Sequence, residues 1–199
     1  MYDANNQLII SPQTMRDYIT SANERFTTAE KNILSYKTEI SSYNDPNLVD
    51  IKELVKLYRG YMRKYKETKN LDLYEMIKAQ LIEWCTKKLE ICEHIRSFAQ
   101  SVDSLTMLYK LRGDYLRYLT ELYEDDKSKA QQYIQDTLVC YNHGIDISKD
   151  LPITNINRAG ILMNYSVLLA DEIYDIDNAI EISKNTLKDL NEFLKSEKR

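Results

Sequence analysis

The 199-residue sequence is poorest in chain punctuation and in the residues of catalysis. It holds 4 Gly and 3 Pro, too few for an architecture built on many tight β-turns. Two His leave little for acid–base work, and no Gly-rich phosphate loop, nucleophile–His arrangement or metal-ligand cluster is visible, so neither an enzyme nor a cofactor is expected. Three cysteines, an odd count, argue against a disulfide framework. Cys85 and Cys92, seven residues apart, share a stripe with Ile82, Leu89, Ile95 and Ala99 and read as core. That usage fits a reducing cytoplasm, with the nucleus also accessible. No run approaches the roughly 18 apolar residues of a membrane span. The opening Met-Tyr-Asp-Ala-Asn-Asn has neither the basic nor the apolar region of a secretory signal. Net charge is −4, which disfavours indiscriminate nucleic-acid binding. An anion would need a local basic cluster.

Charged residues make up 29% and apolar ones 43%, with 16 Tyr supplying bulk. That profile predicts one all-α domain over residues 1–199, made of long amphipathic helices around a sizeable core. Ser11-Pro12 is a cap followed by proline at the first helical position, opening a short helix to about Asn23. Thr27 and Glu30 have capping-box spacing, predicting a second helix with Ala29, Ile33, Tyr36, Ile40 and Tyr43 inward. After Asp45-Pro46 a third helix runs over about 48–68, burying Ile51, Leu54, Val55, Tyr58, Met62 and Tyr65. A fourth, capped by Asn70, extends to about Phe98 and includes Trp84, whose role is packing. A central helix spans about 104–123, a sixth opens at Asp125-Asp126-Lys127, a seventh follows Pro152, and Asp175 caps an eighth.

On the central helix, Lys110, Asp114 and Arg117 share a narrow arc with Tyr118 at its edge, while Leu108, Leu111, Tyr115, Leu119 and Leu122 can be buried. Spacing alone describes a solvated face. The literal string Lys110-Leu-Arg-Gly-Asp-Tyr-Leu-Arg117-Tyr118-Leu119, however, closely resembles the fifth helix of the 14-3-3 family. Lys56, Gly60 and Arg63 repeat the spacing of that family's third helix. Pro152 to Val167, with Met163-Asn164-Tyr165-Ser166-Val167, resembles its seventh, and Glu24-Arg25-Phe26 resembles the junction of its first two helices.

The resemblance covers roughly residues 23–195 with gaps. It implies an antiparallel helical array of about eight helices with a concave amphipathic groove, formed by helices over about 46–195 and preceded by dimerisation helices over about 11–43. Residue by residue it implies Lys56, Arg63, Arg117 and Tyr118 for phosphate. Lys110 would stand further along the basic wall, Asn164 on the peptide backbone, and Met163 and Val167 on an apolar wall. Partners would be phosphoserine- or phosphothreonine-containing proteins rather than nucleic acid or membrane. A phosphorylated Ser or Thr carries about −1.5 to −2 charge and three acceptor oxygens, which guanidinium forks, an ammonium and a phenol hydroxyl can satisfy together.

Arg25 and Phe26 are expected at a homodimer interface. With Phe26 in place of the family's Tyr and Thr28 where an acid is expected, that dimer should be weaker than is usual for the family. The family's ninth helix has no counterpart in these residues, so one apolar wall is expected to be missing. Asp114 is a candidate to orient Arg117. The alternative is a tetratricopeptide-like scaffold binding unphosphorylated partners, although no sustained repeat near 34 residues is present.

Overall fold

A computed structural model describes residues 10–38 and 45–196. Among them are seven α-helices and no strand, an antiparallel all-α array: α1 (Pro12–Leu34), α2 (Pro46–Glu67), α3 (Leu71–Arg96), α4 (Val102–Leu122), α5 (Lys127–Ile147), α6 (Ile156–Leu168) and α7 (Ile176–Ser196). The described residues divide into two compact units, one of residues 10–36 and 45–87, the other of 37–38 and 88–196, with the boundary inside α3.

In the first unit, Ser11 caps α1, its hydroxyl accepting from the Thr14 amide at 3.0 Å, with Pro12 at the first helical position. The break expected near Asn23 does not occur. Met15, Ile19, Ala22, Phe26, Ala29 and Ile33, spaced alternately four and three apart, are all buried, and such an unbroken stripe keeps one helix running. The Thr28 hydroxyl donates to the Glu24 carbonyl at 2.8 Å, bonding back along the helix instead of opening a new one. Ile40 and Tyr43, assigned to that second helix, lie outside the described residues. The core is aromatic: Phe26 stacks on Trp84 with centroids 5.6 Å apart, and Tyr58 meets Trp84 edge-on at 5.0 Å. Burying an indole leaves an N–H to satisfy. Trp84 Nε1 donates to Asn23 Oδ1 at 2.6 Å, and the Asn23 amide donates to Gln80 at 2.8 Å.

In the second unit, α4 and α5 form a tight hairpin. A Cβ on Gly113 would lie 2.6 Å from Cδ1 of Tyr141, so the two helices approach at a distance only glycine permits there. Ser101, Asp126 and Asn155 cap α4, α5 and α6 through their side chains, and Asp175 accepts from the Asn178 amide at the start of α7. The amides of Asn155 and Asn157 both donate to Asp103 Oδ1 at 2.8 Å, tying the start of α6 to the start of α4. A single π-turn, Leu169–Ile173, ends α6. All four glycines sit inside helices, and among the described residues the left-handed conformation is taken by Lys69 (φ 55°) and Tyr174 (φ 62°). Cys85, Cys92 and Cys140 all lie in buried positions.

Candidate functional site

The residues of the α4 string do not simply face solvent. Asp114 is only 9% exposed, because the close approach at Gly113 seats it against α5. Lys110, one turn earlier, donates to Asp114 Oδ2 at 2.8 Å, and the pair is largely shielded. Asp114 Oδ1 accepts from the Tyr141 hydroxyl of α5 at 2.7 Å and from the Asn164 amide of α6. One buried carboxylate thus gathers side chains from three helices, its oxygens filled by donors as burial of a charge requires.

Arg117 continues the chain of contacts. Burial opposes its charge, but a hydrogen bond with Tyr141 and the nearby Tyr118 and Asp114 outweigh it, so its pKa is raised and it stays a cation. Its Nε is buried without a hydrogen-bond partner, and its guanidinium lies 5.2 Å from the Tyr118 ring centroid. The Tyr141 phenol, desolvated and beside the Asp114 carboxylate, has its pKa pushed well above the ordinary value. It therefore remains protonated and can donate to Asp114 while accepting from Arg117. Glu172, in the π-turn, has its pKa raised by burial, with the Arg117 charge pulling the other way.

Helical spacing puts Asp114 beside Arg117. The structure makes Asp114 the anchor of Lys110, Asn164 and Tyr141, reaching Arg117 by way of Tyr141. Tyr141, which the sequence presents as an inward packing residue of its helix, is the polar partner that sequence reasoning misses. Nothing local signals it, since its partner lies 27 residues away. Asn164 spends one amide N–H on Asp114, leaving its carbonyl and second N–H for another partner. Met163 is 63% exposed and Val167 is half-buried.

Lys56 and Arg63 lie two turns apart on α2 in the first unit, both exposed, with Lys56 Nζ 3.7 Å from Glu53. Phe26, expected at a dimer interface, is 1% exposed and stacked on Trp84 within its own chain. Arg25 is exposed and pairs with Asp50 of the same chain.

A sequence model described as "14-3-3 protein" matches residues 12–199. The chain belongs to the 14-3-3 family. It is 29% identical over 171 residues to 14-3-3-like protein GF14-F of Oryza sativa subsp. japonica, covering 82% of this chain and 63% of that protein. It is 28% identical over 189 residues to 14-3-3 protein epsilon of Drosophila melanogaster, covering 86% and 66%. To 14-3-3 protein homolog 2 of Schistosoma mansoni it is 28% identical over 172 residues, covering 84% and 78%. The chain spans just under two thirds of the length of the first two relatives. Members of the 14-3-3 family are adaptors, not enzymes. Among the described residues, no helix is long and apolar enough to cross a membrane.

Proposed function

We propose that this 14-3-3 protein is a cytoplasmic adaptor that binds phosphoserine- or phosphothreonine-containing segments of client proteins. The observation that carries the reading is Arg117, a half-buried cation held in place by Tyr141 and favoured by the nearby Asp114. A phosphate oxygen is a strong acceptor for a guanidinium, and a cation already held by its neighbours loses little freedom on meeting it. Arg117 and Tyr118 bind the phosphate, and residue-by-residue transfer from the family gives Lys56 and Arg63 the same role. Asn164 offers its carbonyl and free N–H to the ligand backbone, Lys110 extends the basic side, and Met163 and Val167 supply apolar contact.

Fluorescence polarisation with a labelled phosphoserine peptide and its unphosphorylated twin tests the reading. The phosphopeptide should bind at least about 100-fold tighter, or roughly 2.7 kcal/mol. Equal affinities would favour the scaffold for unphosphorylated partners. We further propose a homodimer through the first helices, weaker than is usual for the family. Arg25 already has Asp50 within its own chain, and exposed ion pairs contribute little to an interface. Sedimentation equilibrium showing only monomer at concentrations on the order of tens of micromolar, where a dimer of −6 to −7 kcal/mol would be populated, contradicts it.

A further inference from the structure

A concavity lies within the second unit, between the C-terminal part of α3 and helices α4 and α5, with a volume of about 330 Å³. It opens on the opposite side of α4 from the candidate phosphate residues. At about 100° per residue, Leu108, Tyr109 and Arg112 fall on one side of the helix and Lys110, Asp114, Arg117 and Tyr118 on the other. Its size is at the lower end of that found for small-molecule sites, which combine an apolar lining with a few placed polar groups.

The lining has that character. Leu108 and Val139 are its aliphatic part, and Val139 is 56% exposed at the mouth. The Tyr109 and His143 rings stack with centroids 5.7 Å apart, forming an aromatic wall. The Cys92 thiol, its pKa pushed up to about 11 by burial, adds no charge.

Charge decides which ligand this cavity suits. Two guanidiniums, Arg96 and Arg112, line it with one carboxylate, Glu93. Glu93 is shared: Arg112 pairs with it closely, and Arg96 stands 3.8 Å away. Two positive charges against one negative leave one uncompensated, in a chain of net charge −4. Asp136, the acid near Cys140, does not line the cavity, and it accepts a hydrogen bond from Gln132 at 3.0 Å. We propose that this cavity binds a small organic monoanion bearing an aromatic ring, its anionic group at Arg96 and Arg112 and its ring against Tyr109 and Val139. The site is separate from the phosphopeptide residues and stands or falls independently of that assignment.

The test uses the full chain and 8-anilinonaphthalene-1-sulfonate, an aromatic monoanion whose fluorescence rises in apolar surroundings. Expected are saturation at one site per chain, with Kd on the order of 10 µM, and at least about tenfold weaker binding of the neutral analogue N-phenyl-1-naphthylamine. Val139→Trp, which fills the mouth from an exposed position, and Arg96→Gln, which removes charge while leaving the Arg112–Glu93 pair, should each weaken the probe by about fivefold or more. Ile180→Ser, on the exposed apolar side of α7, should leave it unchanged. Absence of saturation below about 1 mM, equal binding of the neutral analogue, or loss in Ile180→Ser with none in Val139→Trp would each overturn the proposal. Circular dichroism verifies folding of the variants. Should Val139→Trp not fold, Arg96→Gln and the neutral analogue decide the matter.

Discussion

The two units of this chain use the same polar residue types to different ends. In the first, the cations Lys56 and Arg63 are exposed, Arg25 pairs with Asp50 at the surface, and the interior is Phe26, Tyr58 and Trp84. In the second, Lys110 and Asp114 are largely buried together with Tyr141, and Arg117 and Asn164 are fastened to them. A surface ion pair contributes up to about 1 kcal/mol, whereas removing one partner of a buried pair strands the others without solvent. The contrast separates charged side chains left at the surface from side chains the fold has already organised.

The sharpest way to break the comparison is to remove one carboxylate from each unit. Asp114→Ala leaves Lys110, Tyr141 and Asn164 without their acceptor and should cost about 3–5 kcal/mol in urea unfolding. Asp50→Ala, at the exposed pair, should cost under about 1 kcal/mol. Similar losses for the two would erase the distinction.

Glycine gives a second, smaller contrast of opposite sign. Gly113→Ala forces a methyl group onto the Tyr141 ring and should destabilise by about 1–3 kcal/mol through overpacking. Gly60 is an exposed helix-interior position with nothing within 4 Å of an added Cβ. Gly60→Ala should therefore stabilise by up to about 1 kcal/mol. Thermal unfolding of the two variants measures both signs.

Much of this is legible in the sequence. The helix-periodic face of α4 follows from residues a few positions apart, so spacing alone groups Lys110, Asp114 and Arg117. Each of the seven described helices begins within a few residues of where a cap or proline puts it, Pro12 of α1 included. The expected division of α1 fails because Thr27 and Glu30 have capping-box spacing while the buried stripe from Met15 to Ile33 carries more free energy than a cap. Tyr141 is not legible as a polar partner. Its role depends on the α4–α5 approach at Gly113, a tertiary event that the α5 sequence does not encode locally.

A pH scan sharpens the picture of the first unit at the smallest expected effect. Burial raises the Tyr58 phenol to about 12, above the ordinary value near 10. The folded state thus keeps its proton where the unfolded chain loses it. The stability this group contributes is complete below pH 10 and is lost as pH rises from about 10 to 12. Tyr58→Phe should flatten that alkaline decline in unfolding free energy, and an unchanged slope would assign it to other groups.

The most direct test of the central claim is phosphopeptide affinity measured by fluorescence polarisation for wild type and Arg117→Ala, alongside circular dichroism. If the second unit pre-positions Arg117 for an anion, the substitution costs roughly 2–5 kcal/mol of binding, as for a buried hydrogen-bonded charge pair, while helix content is kept. A loss below about 0.5 kcal/mol, the scale of an ordinary surface substitution, would contradict it and leave the Asp114 network as a purely structural device.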